Sequence, residues 1–235
     1  HGCTDGIDVG QVGGTSATQL KNGIIRYNEV YDILGPSDSR LLKISGNGPF
    51  DPIQRFSESI SLYKNIFHPG TQASQGSGPA YMERVKNINT FQNTVWNVGG
   101  GQGSALWYYV STGGGWDGNN NRLHAKYNIF GSNSSTVNTA ISLEKDAGTE
   151  VSCPENMSCP LVKNGFYYPN ASQTGICVRW EQTDSTNKLY ACNNMTALNN
   201  EAEHEGNFYG DPKFVNRLQP TTMSNLALTG ASAEY

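Results

Sequence analysis

The chain has 235 residues and a formal net charge of −4, with only 15% Asp, Glu, Lys and Arg but 27 glycines. That charge leaves no broad cationic face to neutralise a phosphate backbone, which excludes a nucleic-acid partner. The Gly-rich, charge-poor profile excludes a helical enzyme and a disordered chain, and no apolar run reaches the roughly 18 residues of a transmembrane helix.

In chain order, Thr4-Asp5-Gly6-Ile7-Asp8 comes first, a short acidic segment. A repeat then begins. Tyr27-Asn28-Glu29-Val30-Tyr31, Lys64-Asn65-Ile66-Phe67-His68, Gln92-Asn93-Thr94-Val95-Trp96, Tyr127-Asn128-Ile129-Phe130-Gly131 and Lys163-Asn164-Gly165-Phe166-Tyr167 share one frame, with Asn two residues before Val or Phe. Successive asparagines lie 37, 28, 35 and 36 residues apart. Gly206-Asn207-Phe208-Tyr209 reads as a sixth, degenerate copy with Gly in the Asn slot.

Some 11 to 14 residues after each Asn comes an apolar or β-branched run: 41–44, 79–82, 105–110, 139–143 and 175–180. Each is short and bounded by turn residues, which predicts strands. The segments 35–38, 69–72, 99–103 and 132–135 carry Gly, Pro, Ser and Asn turn chemistry. Only residues 18–34 carry any trace of a helical period.

One residue frame kept over long intervals sets the architecture before any local motif does. In a parallel β-helix each repeat is one coil, and inward asparagines bond along the stack, because an amide offers two donors and an acceptor. A β-sandwich also recurs with turns, but nothing in it repeats the frame. The expected fold is all-β: a right-handed parallel β-helix of about six coils, in one domain over 1–235. Repeat units fall near 24–45, 61–82, 89–110, 124–144, 161–180 and 206–218. Asn28, Asn65, Asn93, Asn128 and Asn164 are then a structural ladder. The phrases at 93–101 (NTVWNVGGG) and 210–216 (GDPKFVN) resemble those of the right-handed parallel β-helix superfamily, over roughly residues 4–218. That superfamily includes polysaccharide lyases, polygalacturonase-like hydrolases and phage tailspikes.

The resemblance implies a polysaccharide substrate held on outward positions of stacked coils. Just before the ladder asparagines stand Arg26, Tyr27, Tyr63, Lys64, Lys126, Tyr127 and Lys163. Rings stack on sugar faces and cations neutralise uronate carboxylates; the same residues would equally serve a solvated outer face. Trp116, in a Gly- and Asn-rich loop, is a further sugar-stacking candidate. A lyase needs a base and a cation near the acidic carbon, for which His124, Lys126 and Arg84 are the candidates. The segment at residues 4–8 resembles the Asn-Thr-Asp-Gly-x-Asp motif of polygalacturonase-like hydrolases, with Asp5 matching. This resemblance implies a carboxylate pair, although Cys3 replaces the Asn and no Asp-Asp, Gly-His-Gly or Arg-Ile-Lys follows. Asp5 and Asp8 would otherwise cap a turn or, with further oxygens, hold calcium, the one cofactor these residues suggest.

Two features point outside the cell. Cys153 with Cys159, and Cys177 with Cys192 across a hairpin-like excursion, are candidate disulfides that leave Cys3 over. Asn133, Asn156, Asn170 and Asn194 begin glycosylation sequons in expected loops. The start at His1 reads as that of a processed product. The leading expectation is a secreted or surface protein that binds, and in one version cleaves, an acidic extracellular polysaccharide. The rival is a non-catalytic structural or adhesive protein associating end to end. A third reading is a copper monooxygenase using His1 with His68, His124 or His204; such enzymes are sandwiches, which the repeat disfavours.

Overall fold

The computed structural model describes residues 5–10, 21–31, 40–45, 57–68, 80–83, 85–96, 104–110, 123–132, 139–145, 160–168, 176–181, 187–192, 194–201 and 204–212. Each copy of the repeat frame lies where two short strands meet at a bend. The residue before each ladder Asn adopts left-handed backbone, with φ of 56° at Tyr27, 54° at Lys64, 55° at Gln92, 57° at Tyr127 and 52° at Lys163. That conformation costs a non-glycine residue about 1–2 kcal/mol, and it bends the chain between an entry strand and an exit strand.

Entry strands Ile24–Arg26, Ser61–Tyr63, Ile88–Phe91, Leu123–Lys126 and Leu161–Val162 form one parallel sheet. Exit strands Glu29–Val30, Ile66–Phe67, Thr94–Trp96, Ile129–Gly131, Gly165–Tyr167 and Phe208–Tyr209 form a second. The later apolar runs join a third sheet, from Asp5–Gly10 through Arg40–Ser45, Ala80–Glu83, Ser104–Val110, Thr139–Lys145 and Ile176–Glu181 to Asn187–Ala191. In every sheet neighbours follow chain order, so each pass of the chain adds one strand to the edge left by the pass before. Only the last pair of the third sheet is antiparallel. A small parallel pair, Ser57–Glu58 with Val85–Lys86, completes the strands. The described chain is predominantly β, with parallel sheets and almost no helix.

Burial follows the strand alternation. Leu62, Thr90, Ala125 and Leu161 point inward before the bend, and Phe67, Val95, Phe130 and Phe166 after it. Like residues stack on like: the Phe130 and Phe166 rings lie 5.6 Å apart, inclined by 21°. Leu42, Ile44, Ile141 and Val178 close this core from the third sheet. Residues 21–31 are strand, bend and strand, not helix. The left-handed Tyr27 places two outward residues in succession, and this interrupts the period of two.

The ladder asparagines are buried from Asn65 onward. Asn65 donates its N–H and one Nδ2 hydrogen to Asn93 Oδ1, at 3.0 and 2.9 Å, and the other Nδ2 hydrogen to the Ile25 carbonyl at 2.9 Å. Asn93 and Asn128 repeat the arrangement with the next pass. Asn164 continues it to Asn207 Oδ1, at 3.1 and 3.0 Å. The sixth copy is therefore complete. Asn207 occupies the ladder slot, and Gly206, at φ 63°, takes the left-handed slot ahead of it. The degenerate reading was out of frame by one residue.

A helix the repeat does not announce, Met195–Asn199 (α1), ends the ladder. Asn207 donates its N–H and Nδ2 to Asn199 Oδ1 at 3.0 and 2.9 Å, and Asn199 Nδ2 returns a bond to the Asn207 carbonyl at 2.8 Å. Met195 and Leu198 anchor α1 in the core.

An internal rung and the first rung should differ sharply on truncation. Asn93→Ala strands two buried donors of Asn65 and the Leu62 carbonyl, and should lower the unfolding free energy by about 3 kcal/mol in urea titration. Asn28→Ala, at the part-exposed end, should cost about 1 kcal/mol or less.

Burial also pushes the Tyr168 phenol far above its ordinary pKa of 10.0, and its hydroxyl has no hydrogen-bond partner. A phenol held neutral in the folded state contributes stability in full below the unfolded pKa of about 10, and that contribution is lost as pH rises above it. Tyr168→Phe should therefore flatten the alkaline fall in stability above about pH 10. At neutral pH it should raise the unfolding free energy by about 1 kcal/mol, since no unpaired hydroxyl is then buried.

Candidate functional site

Because the bend turns two successive residues outward, each pass presents a pair of side chains along one edge of the stack. Immediately before the asparagines run Tyr27, Lys64, Gln92, Tyr127, Lys163 and Gly206, and one residue earlier run Arg26, Tyr63, Phe91, Lys126 and Val162. Tyr27 is 62% exposed and Tyr127 47%, which leaves their rings open to water. The Arg26 guanidinium lies 5.6 Å from the Tyr27 ring centre and donates to the Tyr63 hydroxyl at 2.6 Å. Tyr63 and Phe91 stack at 4.8 Å with planes inclined by 7°. Lys64 Nζ sits 5.6 Å from the Tyr27 ring, and Lys163 Nζ 6.0 Å from the Tyr127 ring. These contacts hold the cations in place beside the rings while leaving their outer sides in water.

A groove of about 730 Å³ follows this edge. Lys64, Gln92, Tyr127 and Lys163 form one wall, Thr94 and Ile129 of the exit strands the other, and Gly165, Gly206 and Phe208 the far end. Glycine lets neighbours pack closely there: a Cβ on Gly165 would lie 2.7 Å from the Phe208 ring, and one on Gly206 would lie 3.0 Å from Lys163 Cγ. With parallel strands about 4.8 Å apart, the four steps from Lys64 to Gly206 span about 19 Å. Two lysines can neutralise anionic groups, Tyr127 can stack on a ring, and Gln92 and Thr94 can bond hydroxyls. Among the described lining residues there is neither a carboxylate nor a histidine.

The binding candidates Arg26, Tyr27, Tyr63, Lys64, Tyr127 and Lys163 thus lie along one edge. His124 and Lys126 do share an outward strand face, both half-buried, but neither lines the groove. Arg84, Trp116, Asn133, Asn156, Asn170, Cys153 and Cys159 lie outside the described residues, as do the side chains of Asp5 and Asp8. The backbone of these two aspartates belongs to strand Asp5–Gly10, in register with Arg40–Ser45, and not to a turn. Asn194 is exposed and caps α1, its Oδ1 accepting from the Ala197 N–H at 3.4 Å. Cys192 is buried just past strand Asn187–Ala191, whose antiparallel partner carries Cys177 at a register shift.

His68 is buried, with Nε2 2.9 Å from Glu29 Oε1 and its ring stacked on Tyr31 at 5.3 Å. His204 accepts from the Leu161 N–H at 3.2 Å. Both histidines hold passes together. No group of three or more His, Cys, Asp or Glu placed to hold a metal ion occurs among the described residues.

Gln92, Thr94, Ile129 and Gly206 were not anticipated as lining residues. The slot just before the ladder Asn would have marked Gln92 and Gly206. Thr94 and Ile129 follow the Asn by one residue, and only the bend reveals that they share a groove with residues preceding it. Comparison with family models, with curated proteins and with solved structures found no match.

Proposed function

We propose that this chain is a right-handed parallel β-helix of about six coils, secreted or cell-surface, that binds an acidic extracellular polysaccharide along the bent edge. The observation that carries the reading is the groove between Lys64 and Lys163 with Tyr127 exposed on its wall. An elongated trough with cations, a stacking ring and amide and hydroxyl groups suits an extended chain of sugar rings bearing carboxylates. Glycans on the four sequons and a Cys177–Cys192 disulfide belong to the same proposal.

Binding without cleavage is the version the lining favours, since proton abstraction needs a base in reach of the sugar. The rival, a filament stacked end to end, meets an obstacle in α1. Asn199 already fills the place that the ladder of a second copy would take.

Titration calorimetry at low salt with polygalacturonate, alginate and chondroitin, against neutral dextran, tests the reading. At least one acidic polymer should bind, more weakly as salt rises. Lys64→Gln and Lys163→Gln should each weaken it about fivefold, the effect of roughly 1 kcal/mol per exposed ion pair. Binding to no acidic polymer, or affinity unchanged in both variants, overturns the proposal. Ultraviolet absorbance of unsaturated uronate ends in the same samples reports any lyase action, and a flat trace restricts the function to binding.

A further inference from the structure

The outward residues of the bent edge are not evenly distributed. Along the slot before the ladder Asn the order is Tyr27, Lys64, Gln92, then Tyr127, Lys163, Gly206: tyrosine, lysine and an uncharged residue, twice. In the neighbouring slot Arg26 stands beside Tyr27 and Lys126 beside Tyr127, and the other places hold Tyr63, Phe91, Val162 and, on the last pass, Glu205. Each tyrosine therefore has one cation on its own strand and a second from the next pass. In the first cluster the Arg26 guanidinium and Lys64 Nζ both lie 5.6 Å from the Tyr27 ring centre. In the second, Lys163 Nζ lies 6.0 Å from the Tyr127 ring.

Between the clusters stand Gln92 and Phe91, neither of them charged. Glu29, which follows Asn28 on the first pass, is engaged by His68 at 2.9 Å. Glu205, exposed, pairs with Val162 through the backbone on the last pass, one step past Lys163. A chain with net charge −4 has thus gathered four cations into two matched groups on one edge. A solvated face needs no such spacing.

We propose that these are two equivalent subsites, three passes and so about 14 Å apart. The ligand would be a glycan whose acidic groups recur on one side at that distance, each carboxylate lying between two cations while its sugar ring rests on the tyrosine. The proposal rests on the reading of the edge as a polysaccharide site and adds that it measures the spacing of charge. Two weak subsites joined by one ligand gain avidity only when the ligand reaches both.

The experiment is titration calorimetry with size-fractionated oligogalacturonates from the dimer upward, on the wild-type chain and two double variants. These are Arg26→Gln with Lys64→Gln, and Lys126→Gln with Lys163→Gln. Glutamine at the left-handed slot is already accepted at Gln92, where φ is 55°, so the variants keep the fold, as circular dichroism should show. For the wild type, affinity should stay nearly flat for short oligomers and then rise about a hundredfold at the length that bridges the clusters. Either double variant should abolish that step and leave the shortest oligomers within about twofold, the statistical factor for losing one of two like sites. A smooth rise with length, or a step that survives removal of either cluster, overturns the two-subsite proposal while leaving the edge as a binding site. No binding at any length, or of the parent polymer, overturns both.

Discussion

The whole arrangement depends on a buried amide hydrogen bond repeated from pass to pass. At each bend the chain enters a left-handed conformation that most residues resist, and the next residue turns into the interior, where an unpaired backbone group is costly. One Asn side chain resolves both difficulties. Its oxygen accepts the backbone N–H and the side-chain N–H of the preceding rung, and its amide satisfies a carbonyl that the bend would otherwise strand. Asn is the residue for this place because it alone combines that reach with both donors and an acceptor in so short a side chain. Asp would lose the donors and bring a charge into the core.

The same bend creates the outer edge. Strand alternation sends every second residue outward, and the left-handed residue adds one more, so two columns run side by side where a flat sheet would offer one. The strain at Lys64, Tyr127 and Lys163 lies beneath the groove and is held by the ladder behind it. Positioning of the outer groups is therefore inherited from the buried ladder and the strands that flank it.

Much of this could be read from the sequence, because the ladder residue is chemically distinctive and its frame never drifts. The five asparagines, the later apolar runs and the outward pairs before each Asn follow from that frame alone. Four things did not. The left-handed backbone just before each Asn was hidden, since Tyr, Lys and Gln carry no signature of it as Gly does. Asn207 was misassigned because Gly206, the residue best suited to the bend, was taken for a failed rung. The role of Asn199 was invisible, because it bonds across the end of the stack from a helix outside the repeat. Thr94 and Ile129 became neighbours of Lys64 and Lys163 only once the corner had folded.

The chain between rungs varies from 28 residues, Asn65 to Asn93, to 43, Asn164 to Asn207. Each interval nevertheless advances the edge by a single strand spacing. Distance along the edge is counted in passes and is indifferent to how much chain each pass consumes. Insertions and deletions in the connecting segments can accumulate without shifting any outer side chain relative to its neighbours. The gain or loss of one whole pass would instead change the phase of the Tyr–Lys pattern by one step. Spacing along the edge is thus set by strand pairing and the ladder, and not by the length of chain between rungs.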